Sequence, residues 1–256
     1  MGTNIILKNC DFSGSNLGFE APVSAGLLYF NFFGKDAATT KRNLAGGLES
    51  TIVGSPSYTQ TGTVFSSMAG ANNHAVTGYK QAKEMTFLFA AKLAEETQGF
   101  MAGTYRAPRQ GDESVSGGGF YIGFTNEVAS GGKMNPVFSL TRYNGTPGAA
   151  YTPNRGFLTE GLPVNAFRAY AAKLSDAAKK ITFTDLTTGN TKEVSWAGVM
   201  DLNTANIAIG SSTTQDLRGA PEMGCAGFYD RVLSDDEIAK MYASIKAYFA
   251  RLGIAV

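Results

Sequence analysis

The chain has 256 residues, only 17% of them charged, with 22 basic and 21 acidic side chains and a net charge of +1. That mixed balance leaves no electrostatic footprint for nucleic acid and no polybasic run for a membrane surface, and no apolar run reaches the roughly 20 residues that cross a bilayer. The 31 glycines exceed the roughly 18 that an average usage of about 7% gives, as an all-β chain with many reversals requires.

Residues 1–20 read as an extended N-terminal arm, in which the strand-like run Ile5, Ile6, Leu7 is followed by small residues that pack no core of their own. That apolar run is too short for a signal peptide, so assembly in a cytoplasm is expected. Residues 21–256 read as one domain, because no linker rich in Pro, Ser or charge divides them. From residue 60 a period of two becomes strong. Met85, Phe87, Phe89, Ala91 and Leu93 alternate with Thr86, Leu88, Ala90 and Lys92, so one face is heavily apolar and the other mildly so. Phe120, Ile122 and Phe124 alternate with Tyr121, Gly123 and Thr125, and Phe167, Ala169 and Ala171 with Arg168, Tyr170 and Ala172. Residues 181–184 and 191–196, joined by a turn at 185–190, read as a hairpin, and 206–210 and 223–230 complete the strands. With no helices interleaved, the pattern predicts antiparallel sheets rather than βαβ units.

The chain ends on a helix. Ser234 is placed as N-cap, Glu237 completes a capping box, and Asp235 and Asp236 sit where the helix dipole favours negative charge. Ile238, Met241, Tyr242, Ile245, Phe249 and Leu252 recur at three- and four-residue steps, giving one apolar face that is expected to seal one end of the sandwich. Tyr229, Arg231, Leu233, Ser234, Glu237 and Ile238 stand in the spacing Y-x-R-x-L-S-x-x-E-I. This run resembles the close of laminin-G-like and pentraxin-like domains of the concanavalin A-like jelly-roll class. The strand Met85-Thr86-Phe87-Leu88-Phe89, the loop Thr188-Gly189-Asn190 and the strand Ile207-Ala208-Ile209-Gly210 follow the order of that class, so the resemblance covers about residues 60–245. It implies an all-β, concanavalin A-like jelly-roll β-sandwich of two antiparallel sheets with a C-terminal amphipathic helix.

The opening, with Ile5, Ile6, Leu7, Lys8, Asp11, Phe12, Ser13, Leu17 and Gly18, is similar to the openings of phage tail-associated proteins. That resemblance implies a tail or tail-fibre setting in a virion, with other virion subunits as partners and, by analogy with tail fibres, a homotrimer.

Some jelly rolls of this class are glycoside hydrolases, and retaining hydrolysis needs two carboxyl groups about 5–5.5 Å apart. No strand here carries the Glu-x-Asp-x-x-Glu spacing of the laminarinase type. A helix N-terminus accounts for Asp235, Asp236 and Glu237, and a glycine-flanked turn for Asp112 and Glu113. The single histidine, His74, reads as a loop residue bonded to backbone, and no G-x-S-x-G elbow supplies a nucleophile. Cys10 and Cys225 read as free buried thiols, and one His with two distant Cys makes no zinc site. Calcium would draw on Asp112, Asp201 and Asn203; without an Asp-x-Asp cluster these read as turn residues. No enzyme activity, metal or cofactor is therefore expected.

Residues 99–119 and 144–165 read as two long loops, and loops of more than about 12–15 residues are usually functional or disordered. The first carries Tyr105, Arg106, Arg109 and Asp112; the second carries Asn144, Tyr151, Asn154 and Arg155, with Tyr143 at its edge. Tyr beside Arg offers a flat apolar ring next to directional donors, a combination enriched at recognition surfaces. Sugar rings stack on such faces while Arg, Asn and Asp bond their hydroxyls, and packing against neighbouring subunits suits the same residues. The expectation is a lectin-like virion module that binds a host-surface glycan through these rim loops without catalysis. The alternatives are a purely structural virion protein and a glycan hydrolase.

Overall fold

The computed structural model describes residues 19–66, 72–94, 97–104, 107–116, 118–125, 134–159, 165–211 and 219–256. Residues 1–18, and with them Cys10 and most of the expected arm, lie outside the described residues, as do Tyr105 and Arg106. In chain order the first elements are β1 (Leu27–Phe32), α1 (Ala37–Lys41), β2 (Thr51–Val53), β3 (Ser57–Tyr58), β4 (Thr63–Val64), β5 (His74–Lys80), β6 (Glu84–Leu93), β7 (Gly99–Gly103), β8 (Pro108–Arg109), β9 (Asp112–Ser116) and β10 (Phe120–Thr125). They are followed by β11 (Asn135–Tyr143), β12 (Thr152–Phe157), β13 (Arg168–Ser175), β14 (Lys180–Asp185), β15 (Thr191–Ser195), β16 (Val199–Met200), β17 (Asn206–Ile209), β18 (Pro221–Tyr229) and α2 (Asp235–Arg251). One antiparallel sheet runs β15-β14-β13-β6-β18-β4-β3, with β1 also on β18; the other runs β12-β11-β10-β7-β17-β5-β2, with β16 on β11. The expected two-sheet jelly-roll sandwich is the architecture found.

The alternation in β6 explains why the sheets stack. Met85, Phe87, Phe89, Ala91 and Leu93 point into the core between the sheets, where Phe120, Ile122 and Phe124 of β10 and Phe138 and Leu140 of β11 meet them. Phe87 lies 4.8 Å from Phe120 and 5.5 Å from Phe228, ring centre to ring centre. The other, mildly apolar face of β6 forms a second buried layer. Leu88 and Ala90 pack with Ala169 and Ala171 of β13, with Phe30 and Phe32 of β1, and with α2.

The terminal helix therefore does not plug an end of the sandwich. It lies over the outer face of the first sheet, where Ile238, Met241, Ile245 and Phe249 are buried. At roughly 1.5–3 kcal/mol per buried large side chain, these four are the main attachment. Small residues on the sheet let the helix approach: a Cβ on Gly224 would stand 2.4 Å from the Phe249 ring, so only glycine fits there.

The junction from β18 into α2 shows what the end motif does. The Tyr229 hydroxyl donates to the Val23 carbonyl at 2.9 Å, and the Arg231 Nε donates to the Ala25 carbonyl at 2.9 Å. Arg231 also forks onto Glu237 at 3.0 and 2.7 Å. Glu237 accepts from the Ser234 backbone N–H while the Ser234 hydroxyl accepts from that of Glu237, a complete capping box. The Arg231 guanidinium and the Ser234 N–H hold the Glu237 carboxyl down at about 2. Leu233 is buried and its N–H donates to Thr86 of β6. At the far end, Ile254 N–H bonds Phe249 C=O and Gly253 N–H bonds Ala250 C=O, with Gly253 at φ +73°; this Schellman closure satisfies those two carbonyls of the last turn.

Two expectations need correction. Residues 99–119 are not one loop: Gly99–Gly103 forms β7, an inner strand of the second sheet, and 108–116 hold the β8–β9 hairpin. All five β7 residues are buried, so no polar face marks the period. Residues 144–165 likewise contain β12, whose Pro153 is tolerated because β12 is an edge strand. The strand β1, LLYFNF, escapes the alternation test for the same reason as β7: Tyr29 and Phe30 are both buried, in different layers.

Candidate functional site

The β8–β9 hairpin folds over one end of the second sheet and is anchored there by a buried ion pair. Arg109 Nε donates to Asp201 Oδ1 at 2.8 Å and its Nη2 to Oδ2 at 3.2 Å. Arg109 is 2% exposed and Asp201 fully buried. The guanidinium carbon sits 4.0 Å above the centre of the Tyr143 ring, a cation–π contact added to the fork. The Gly118 N–H donates to the same carboxylate at 3.3 Å. The hydrogen bond to Asp201 raises the pKa of Arg109 beyond its usual value. Backbone bonds complete the seat, from Gln110 N–H to Leu202 C=O and from Thr204 N–H to Pro108 C=O, both 2.9 Å. The Asn203 amide donates to the Thr104 carbonyl, and the Thr104 hydroxyl donates to Gln81, just before β6, at 3.2 Å.

The β11–β12 connection joins this seat. Asp112 Oδ2 accepts from the Gly148 N–H at 2.7 Å, and Oδ1 from the Ser114 hydroxyl at 2.7 Å. The Ser114 hydroxyl, then the Gly148 N–H, keep the Asp112 carboxyl below the usual carboxylate range. Asn144 folds its own turn through the Thr146 N–H at 2.9 Å. Arg142 Nε donates to Asn154 Oδ1 at 3.4 Å, tying β11 to β12. The structure thus gathers Arg109, Asp112, Tyr143 and the Asn144 turn at one rim, with Asn154 joined through Arg142. Tyr151 is half-buried just before β12, and Arg155 is half-buried on that strand.

The roles shift from those expected. Arg109 is not a ligand-facing donor but the buried post on which the hairpin stands. Asp201 and Asn203, weighed as calcium ligands, face a guanidinium and a backbone carbonyl instead. No group of three or more His, Cys, Asp or Glu side chains is arranged to hold a metal among the described residues. His74 is not in a loop: it opens β5, is buried, and its Nδ1 lies 3.0 Å from Asn72 Oδ1. Burial lowers its pKa.

Two further clefts flank α2, formed by residues that carry no recognition pattern in the sequence. One, of about 340 Å³, lies between α2 and the exposed faces of β13–β15, with the Lys173–Asp235 pair at 2.8 Å across it. The other, of about 220 Å³, lies at the C-terminal end of α2 and is lined by Phe32, Lys35, Gln60, Tyr248 and Arg251. Its residues come from three remote segments, and the one local signal is the Gly34-Lys35 turn after an aromatic strand.

No protein-family model matches the chain, and no curated protein matches it in sequence. Among solved structures, it is similar to a Trypanosoma rangeli sialidase in complex with sialic acid, with a TM-score of 0.51 and 14% identity over 94% of this chain and 35% of the sialidase. It is similar to the botulinum neurotoxin serotype D binding domain, with a TM-score of 0.56 and 11% identity over 87% of this chain and 52% of that domain. The receptor binding domain of botulinum neurotoxin mosaic serotype C/D matches as well, at 0.56 and 11%, over 86% and 51%. The chain spans about a third of the sialidase and about half of the toxin domains. At such identities the shared property is the β-sandwich fold.

Proposed function

We propose that this chain is a non-catalytic carbohydrate-binding module that engages host-surface glycan through the rim formed by the β8–β9 hairpin and the β11–β12 connection. The observation that carries this reading is the locking of that rim. Arg109, Asp201, Tyr143 and Asp112 hold two long excursions of the chain in one fixed arrangement, leaving Asn144, Thr146 and Thr152 exposed and Tyr151 half-exposed. A fixed platform of amides, hydroxyls and a tyrosine ring suits weak, directional sugar binding, because little further ordering is needed on contact. The fold likeness to a sialidase seen with sialic acid and to a toxin's receptor binding domain supports the same reading. The rim carboxylates speak against catalysis: Asp201 is committed to Arg109, and Asp112 to Ser114 and Gly148, so neither is free as general acid or nucleophile. We place the module in a phage tail or tail fibre, assembled in the host cytoplasm with other virion subunits as a homotrimer; the opening residues 5–18 support that setting.

The test is binding of the chain, displayed on beads, to an array of bacterial surface polysaccharides. Retention is expected, with Tyr151→Ala and Asn144→Ala each lowering it about tenfold, roughly 1.4 kcal/mol, at an unchanged melting temperature. Failure to bind at any bead density would favour the second reading, a purely structural virion protein, to which the 17% charge content also points. Release of reducing ends from a polysaccharide would replace both with hydrolysis.

A further inference from the structure

The cleft at the C-terminal end of α2 is built differently from the rim. Its floor is aromatic: Phe32 and Tyr248 stack with ring centres 3.8 Å apart and planes 16° from parallel, and with Phe32 buried beneath, Tyr248 is the half-buried ring at the cleft. Its mouth is cationic, with Lys35 on one side and Arg251 on the other, and Gln60 between the cleft and an adjoining open depression that Tyr58 lines. Among the described residues neither cation forms an ion pair, whereas Lys92, Arg109, Arg168, Lys173, Lys179, Lys180 and Arg231 all do.

Lys35 is also held in an unfavourable backbone conformation. Its φ is +58°, in the left-handed region that glycine adopts without cost. Lys179 has the same strain, at φ +51°, but its ammonium is bonded to Asp176 at 2.6 Å. For Lys35 the fold supplies no such partner among the described residues, and its side chain lines the cleft. The turn beneath it is rigid. Lys35 N–H donates to the Thr59 carbonyl at 2.6 Å. The hydroxyls of Thr59 and Thr61 both donate to Glu222 at 2.7 Å, and Glu222 is 7% exposed and paired to Lys92 at 2.9 Å.

The negative groups nearby are already engaged. Asp36 caps α1 by accepting from the Thr39 N–H at 2.7 Å. Of the carbonyls near the end of α2, those of Ala250 and Phe249 are closed by the Gly253 and Ile254 N–H groups. What remains is net positive charge over a flat apolar floor, with the Gln60 amide beside it. A bare inorganic anion would use the charge and not the floor, and a neutral sugar the floor and not the charge. The geometry points to this cleft as a second ligand site that takes an acidic sugar, a pyranose carrying a carboxylate, with its ring on the aromatic floor and its carboxylate between Lys35 and Arg251. This assignment rests on the carbohydrate-binding reading but not on the rim.

The experiment titrates the ¹⁵N-labelled full chain with sodium glucuronate, N-acetylneuraminic acid, glucose and sodium acetate, following the amides of Gly34, Lys35, Gln60 and Leu252. The two acidic sugars are expected to move these amides with millimolar affinity, about −4 kcal/mol for a single residue, and to weaken as ionic strength rises. Lys35→Gln and Arg251→Gln should each cost about tenfold. Lys35→Gly, which relieves the strained φ, should lose the ligand while its melting temperature holds or rises. Saturation by acetate as tight as by glucuronate would overturn the site as a sugar site. Shifts confined to Asn144 and Tyr151 would overturn it while leaving the rim reading intact, and no shift with any sugar would overturn both.

Discussion

Beneath α2 the contacts are small and apolar: Ala90, Ala169, Ala171 and Gly224 on the sheet meet Ile238, Met241, Ile245 and Phe249 on the helix. At the rim the contacts are ionic and directional, with Arg109 forked onto Asp201 and stacked on Tyr143. The helix follows directly on β18 in the chain and lies on residues of β1, β6 and β13 as well. The rim joins residues 92 positions apart. Apolar packing tolerates rearrangement in proportion to volume, whereas a buried ion pair fails outright when one partner is removed. The rim, which the proposed binding would need fixed, is held by the less forgiving chemistry.

Removing either hold should have a large and distinguishable effect. Arg109→Ala leaves the Asp201 carboxylate buried without its partner and is expected to cost about 3–5 kcal/mol in urea unfolding. Arg109→Met combined with Asp201→Leu should recover most of that loss while losing the rim's fixed geometry, seen as faster amide exchange at Gly118 and Gln110. A double variant no better than the single one would mean that the pair is not what holds the hairpin. Phe249→Ala should cost about 3–5 kcal/mol through the cavity it leaves, with exchange rising in α2 and not at the rim. Equal loss of protection in both places would make them one cooperative unit and dissolve the contrast.

The smallest effect is the dependence on acid. The folded-state pKa of Glu237 lies below its unfolded value, so its contribution is fully present above about pH 5 and lost as pH falls toward 2. Asp235, held low by Lys173, and Glu222, held low by Lys92 with Thr61 and Thr59 against the opposing effect of burial, act in the same direction. The unfolding midpoint should therefore fall between pH 5 and 2, and Glu237→Gln should flatten that slope.

The elements visible in the sequence are those whose burial is periodic. The five inward residues of β6, the hairpin of β14 and β15, and the capped face of α2 all follow from spacing alone. The strands β1 and β7 do not, because both of their faces are covered and no polar positions remain to set a phase. At the rim, Arg109 and Asp201 are both conspicuous in the sequence, the one as a sugar-facing donor and the other as a calcium ligand. That they neutralise each other depends on the sandwich bringing β8 to the segment after β16, which no local pattern encodes. The cleft at Lys35 and Arg251 is hidden for the same reason. Its floor is made of residues that look like ordinary core.

One strand links these places. Just before β6, Gln81 holds the Thr104 hydroxyl under the rim, and near the end of the strand Lys92 holds Glu222 under the Lys35 turn. A strand of this length spans roughly 30 Å at about 3.3 Å per residue. If both proposed sites take sugar, an oligosaccharide must reach from one to the other to occupy them together, and short fragments would bind singly. Long polymers would gain from the high local concentration that follows the first attachment.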